Sequence, residues 1–176
     1  MKTVLLVRHA KSSWDDFSIP DFDRPLNGRG KKNAPEMAQR LLKKGIAIDA
    51  FLSSPAKRAR KTAKYFAKEY GRKKEEIILV PDLYEPINEA FSKTIAKAPA
   101  NAASIALFAH NPGITDYANQ LTEVKIDNLP TSGIFAVSAE VDDWKTFHAA
   151  KKNFYFLIFP IPAVRQINLI GVSSWR

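Results

Sequence analysis

The chain has 176 residues, 45% of them hydrophobic, and carries 27 lysines and arginines against 18 aspartates and glutamates, a formal net charge of +9. It contains no cysteine, which excludes disulfides, cysteine nucleophiles and zinc–cysteine sites. The length fits one domain over residues 1–176. The segment ahead of Arg8 is too short for a signal peptide's apolar region, and no apolar run approaches the ~20 residues of a membrane span, so a soluble cytoplasmic protein is expected.

In chain order, "TVLLV" (Thr3 to Val7) is a short continuous apolar run, the pattern of a strand buried on both faces. Met37, Ala38, Leu41 and Leu42 then give a helical stripe that Gly45 ends, with Pro35 predicting a kink or a late helix start. "AFLSS" (Ala50 to Ser54) is a second strand, and Ala59, Ala63 and Phe66 mark a second helix. "EIILV" (Glu76 to Val80) is a third strand, stopped by Pro81, and "SIALFA" (Ser104 to Ala109) a fourth. Ile114, Tyr117, Ala118 and Leu121 mark another helix, and "GIFAVSA" and "FYFLIFP" read as an antiparallel pair closing one edge. Strands alternating with helices predict a three-layer α/β/α sandwich around a mostly parallel sheet.

The polar residues fall at telling places. His9 and His110 each directly follow a buried-type strand, in "LLVRH" and "ALFAH". In open α/β sheets ligands bind beyond the carboxyl ends of the strands, so parallel neighbouring strands would aim both imidazoles into one crevice. His148, in an expected surface helix, is given no role. After the fourth strand, Asn111 is a good N-cap and Pro112 fits a first helical turn; after the second, Ser54 and Pro55 repeat the arrangement and put Arg58 near a helix start. Helix starts favour anions. Arg8, Arg58, His9 and His110 together describe a site for a dianion such as phosphate. The competing reading leaves Arg58 in the solvated basic face with Lys57, Arg60 and Lys61.

Other signals exclude more than they assign. "NGRG" is not a P-loop, and no dinucleotide fingerprint follows a strand. The acidic run "WDDFSIPDFDR" has no EF-hand spacing and reads as a solvated loop, with Asp23 a candidate to orient an arginine. The basic excess favours anionic partners; membrane is excluded and nucleic acid disfavoured, because aromatic–basic interleaving of the kind in "KYFAKEYGRKK" is sparse.

"LLVRHAKSSW", "DFDRPLNGRG", "SSPAKRARKTA" and "FAHNPGI", in this order, resemble the histidine phosphatase superfamily, which has the phosphoglycerate mutase-like fold, and within it the SixA-type phosphohistidine phosphatases. Ala10 stands where most of the superfamily has glycine, as in the SixA-like branch. The resemblance implies that His9 is a nucleophile that becomes phosphorylated and that Arg8, Arg58 and His110 line the phosphate pocket. It implies no cofactor and no metal. It places a general acid at Glu85, with Glu89 the lesser candidate and an ordinary surface glutamate the competing reading. Only about thirty residues separate the second helix from the fourth strand, too few for a large lid. An open site favours phosphohistidine of a protein as substrate. The alternatives are a small-molecule phosphomonoesterase and a non-catalytic binder of phosphorylated proteins or nucleic acid.

Overall fold

The structure, a computed structural model, describes residues 1–161; residues 162–176, the end of the expected 1–176 domain, lie outside the described residues. Six strands form one sheet: β1 (Lys2–Arg8), β2 (Ala50–Ser53), β3 (Ile77–Leu79), β4 (Ser104–Ala109), β5 (Ile134–Ala139) and β6 (Asn153–Ile158). Their order across the sheet is β3-β2-β4-β1-β5-β6. The first four are parallel, while β5 and β6 run antiparallel and close one edge.

The alternation of side chains along each strand explains the three layers. Leu5, Val7, Phe51, Ala106 and Phe108 face one way and pack with Met37, Leu41, Ala63 and Phe66. These come from α1 (Gly28–Lys43) and α2 (Lys57–Glu69). Val4, Leu6, Leu52, Ile105 and Leu107 face the other way and pack with Phe91, Ile95, Ile114 and Tyr117. Those belong to α3 (Asn88–Ala96) and α4 (Gly113–Leu121). Strands of this kind are apolar on both faces because helices cover both, which is why they read as unbroken apolar runs.

Several local expectations need correction. The first helix starts at Gly28, not near Pro35, because Asn27 caps it by accepting the Gly30 N–H at 2.9 Å; Pro35 is carried inside the helix. Leu42 is 40% exposed, so the buried stripe is Ala34, Met37, Ala38 and Leu41. The capping residues also shift. The second helix begins after Ala56 and the fourth after Pro112, neither with a side-chain cap. Ser54 is instead bonded to His110 and to the Ala56 N–H, and Asn111 to Thr115 and Asn128. The surface helix expected around His148 is only a 3₁₀ turn at Trp144–Thr146, with His148 exposed beyond it.

The segment between α2 and β4 holds short 3₁₀ turns, β3 and α3, and no large lid. Two glycines allow close approaches beside the cleft. A Cβ on Gly30 would lie 2.2 Å from the Lys11 carbonyl oxygen, and one on Gly113 would lie 1.9 Å from that of Pro86. The loops after β1 and after β3 are thereby seated directly against the starts of α1 and α4. No helix among the described residues is long and apolar enough to cross a membrane.

Candidate active site

Adjacent parallel strands put the two histidines together. Arg8 of β1 pairs in register with Ala109 of β4, so His9 and His110 emerge side by side, with ring centroids 4.9 Å apart. Both are buried, at 8% and 4% exposure. They line a cleft of about 590 Å³ together with Arg8, Arg58, Arg24, Lys11, Asp21, Tyr84 and Glu85. All five residues predicted for the site therefore reach one cleft. Glu89 does not: it is exposed and pairs with Lys93 at 2.8 Å.

The protonation of His9 follows from its contacts. Nδ1 lies 2.8 Å from the Ala10 carbonyl oxygen, which can only accept, so Nδ1 carries the proton and Nε2 keeps its lone pair. The Nε–H of Arg58 donates to that lone pair at 3.3 Å. Burial lowers the pKa of His9 to about 3; the Ala10 hydrogen bond opposes this, and the charges of Arg58, Arg8 and Arg24 reinforce it. The ring is therefore neutral at neutral pH. Burial likewise lowers His110 to about 2, helped by His9, Arg58 and Arg8 and opposed by Asp21. In the free site His110 is thus a neutral donor or acceptor, and it gains a proton only if an entering anion offsets these cations. Its Nε2 lies 2.8 Å from Ser54 Oγ, which also accepts the Ala56 N–H at 3.2 Å.

The arginines are held so that part of each guanidinium stays free. Nη1 of Arg8 donates to the Leu129 carbonyl at 2.8 Å and to Asn128 Oδ1 at 3.3 Å. Among the described residues its Nε is buried without a hydrogen-bond partner, and so is Nδ1 of His110. Unpartnered buried polar atoms are rare and costly, at about 1–3 kcal/mol each. Two of them on residues that line one cleft rich in cationic side chains suit the seat of an oxyanion. Arg58, 5% exposed, uses three of its five N–H donors internally: Nε to His9, Nη1 to the Asp21 carbonyl at 2.6 Å and Nη2 to Asp21 Oδ2 at 2.9 Å.

Asp21, rather than the expected Asp23, orients the arginines. Its carboxylate also accepts Arg24 Nε at 3.0 Å and the Tyr84 hydroxyl at 2.8 Å. Partial burial resists its ionisation, but hydrogen bonds from Tyr84, Arg58 and Arg24 and the charge of Arg58 hold its pKa at about 2. The 3₁₀ turn at Asp21–Asp23 carries this carboxylate inward, a conformation the residue spacing does not reveal. Arg24 was also missed. It is buried, donates to Ser12 Oγ at 3.0 Å and lies 3.5 Å over the Trp14 ring. The salt bridge between Arg24 and Asp21 at i and i+3 was the available signal. Thr62, on the buried face of α2, ties the loop after β1 to that helix: its hydroxyl accepts the Ala10 N–H at 2.9 Å and donates to the Arg58 carbonyl one turn earlier at 2.7 Å. Among the described residues no cluster of three His, Asp or Glu side chains is placed to hold a metal ion.

The family model for the histidine phosphatase superfamily (branch 1) matches residues 4–96, which carry Arg8, His9, Arg58 and Glu85. The chain belongs to the histidine phosphatase superfamily. Membership in this family supports phosphatase activity. The chain is 31% identical over 152 residues to an uncharacterized chloroplastic protein of Arabidopsis thaliana, covering 82% of this chain and 69% of that one. It is 35% identical over 141 residues to an uncharacterized protein of Mycobacterium tuberculosis, covering 73% and 84%. In fold it is similar to SixA of Agrobacterium tumefaciens, with a TM-score of 0.75 and 24% identity over 90% of this chain and 98% of that one. The protein histidine phosphatase SixA complexed with tungstate gives 0.75 and 21%, over 89% and 96%. A mycobacterial glucosyl-3-phosphoglycerate phosphatase gives 0.64 and 13%, over 88% and 97%. These likenesses bear out the phosphoglycerate mutase-like fold expected of this histidine phosphatase family member.

Proposed function

We propose that the protein is a metal-independent phosphatase that works through a phosphohistidine at His9 and acts on phosphohistidine of a protein. The observation that carries the reading is a pair of buried, unpartnered groups on cleft-lining residues, Arg8 Nε and His110 Nδ1, beside a neutral imidazole whose Nε2 keeps a lone pair, engaged by Arg58 Nε–H. A phosphoryl group entering there takes up the free donors of Arg8, Arg58 and His110. It also draws the Arg58 Nε–H off the His9 lone pair. Nε2 then attacks phosphorus; the new N–P bond forms as the bond to the substrate's own ring nitrogen breaks, and that imidazole, protonated at its second nitrogen, departs with the bonding pair as a lone pair. The arginines stabilise charge on the equatorial oxygens. Water next attacks phospho-His9, the N–P bond breaks, and inorganic phosphate leaves with the lone pair restored to Nε2.

The choice of substrate rests on access and on acid strength. Among the described residues no large lid covers the cleft, and Glu85, exposed and lining it, makes no side-chain hydrogen bond. Imidazole leaves readily once its second nitrogen is protonated, so a weakly held acid suffices. A small-molecule phosphomonoesterase is the second reading, favoured by the presence of Glu85 in the cleft wall. The test is to quench the reaction in alkali, digest the protein and map the modified residue. A base-stable, acid-labile phosphoryl group on His9, absent from His9→Ala, is expected. A label on another residue, or full activity in His9→Ala, would refute the reading.

A further inference from the structure

We infer that the apolar rim of this cleft, Phe17 and Phe22 on one side and Ile87 on the other, is a docking surface for the segment of a phosphorylated protein that flanks its phosphorylated side chain; this rests on the phosphoprotein reading above. Single exposed apolar side chains need no explanation, but several on the segments that wall one polar site do. Phe17 is 88% exposed, Ile87 66% and Phe22 39%. Each is carried on a segment that supplies cleft-lining residues: Phe17 lies in the loop between Trp14 and Asp21, Phe22 follows Asp21, and Ile87 follows Pro86. Neither Phe17 nor Ile87 lines the cleft itself, so a small phosphate ester seated there leaves both in water.

The rim is held in place before any substrate arrives. Its loop is rooted by a bridge between Ser12 and Leu26 and pinned by Asp21 on Arg58 and Arg24. Phe22 meets Tyr84 edge-on at 5.1 Å, joining the two sides. Such preorganisation lowers the ordering cost of an encounter. The occupant is set by geometry, since a substrate that enters phosphoryl-first must lay its remaining body against this rim. Asp15 and Asp16, exposed beside Phe17, disfavour acidic flanks, and the exposed faces of Phe17, Phe22 and Ile87 match apolar ones.

The test compares three substrates: phosphoramidate, a synthetic phosphohistidine peptide flanked by leucines, and the same peptide flanked by serines. The parent should prefer the leucine-flanked peptide by about tenfold in kcat/KM, carried by KM, the size expected from partly burying one or two such side chains. The double variant Phe17→Ser, Ile87→Ser should lose that preference while phosphoramidate turnover stays within about twofold, because neither residue lines the cleft. Equal rates on the two peptides in the parent, or a preference retained in the variant, would overturn the docking surface. Turnover of phosphoramidate without turnover of either peptide would overturn it too, while leaving the phosphatase site standing. Absence of turnover on all three, with no phospho-His9, would overturn both readings.

Discussion

Replacing Arg8 by lysine separates positive charge from the shape of the donor group. Nη1 of Arg8 is committed to the Leu129 carbonyl and Asn128 Oδ1. The opposite edge, the buried Nε–H with Nη2, has no hydrogen-bond partner among the described residues and offers a fork of two roughly parallel donors of the kind that suits an anion. A lysine keeps the charge but has one ammonium, which either answers the Leu129 carbonyl or reaches the anion. At least one transition-state donor is lost. Loss of one such donor costs about 2.7–4 kcal/mol in comparable sites, so kcat/KM should fall by about 10²–10³-fold. Asn128→Ala removes the longer anchor of Arg8 together with the acceptor for the Asn111 amide, leaves the Leu129 carbonyl in place, and should cost less than about tenfold. The assay is kcat/KM on phosphohistidine together with inhibition by vanadate, with the melting temperature checked to show that the fold survives. A lysine variant within about threefold of the parent would mean that the guanidinium edge does not bind the reacting group.

Other outcomes follow from the same geometry. Glu85→Gln should slow hydrolysis of an alkyl phosphate by about 10²-fold and that of phosphohistidine far less, since an alkoxide needs the proton more than an imidazole does; equal losses on both would remove the argument for phosphohistidine. Acid should destabilise the protein through its buried histidines. His9 and His110 have folded pKa values of about 3 and about 2 against 6.5 for a free imidazole, so both folded and unfolded chains are neutral at these positions above pH 6.5. Below it the unfolded chain binds protons that the folded one refuses, and stability falls by about 1.4 kcal/mol per pH unit for each histidine until the folded pKa values are reached. Urea midpoints measured from pH 7 to 5 should decline, and His110→Asn should lessen the slope; an unchanged slope would place the titration elsewhere.

The parts of the site that sequence reveals are those fixed by strand ends. Arg8, His9 and His110 terminate apolar runs, and a parallel sheet gathers such ends without further information. Arg58 follows the same logic at the start of α2. Asp21 and Arg24 were hidden because their positions depend on the loop's return to the sheet, set by the Ser12–Leu26 bridge and by contacts with Arg58, 37 positions along the chain, and Tyr84, 63 positions along. The helix starts show the same limit. Ser54 and Asn111 have the chemistry of caps, but His110 claims the hydroxyl of Ser54, and Asn111 accepts from Thr115 at 2.7 Å while donating toward Asn128. Local preference proposes a cap, and the neighbouring strand decides whether it is used. Pro35 and Leu42 were misjudged for a related reason: Asn27 settles where α1 begins, and packing against α2 and the sheet decides which of its apolar residues are covered.

The strand order also sets how this sheet comes apart. The outermost strands are the weakest: β3 has three residues, two of them exposed, and the first half of β6 is exposed. β1 and β4 lie inside, flanked on both sides, and almost every residue in them is buried. Partial opening therefore begins at the margins and reaches the pair carrying His9 and His110 last. In deuterium exchange, the amides of Val4–Val7 and Ile105–Phe108 should be the slowest of the sheet, and faster exchange there than in β3 or β6 would contradict this order. The protein can thus shed its edges in thermal fluctuation while the floor of its anion cleft stays assembled.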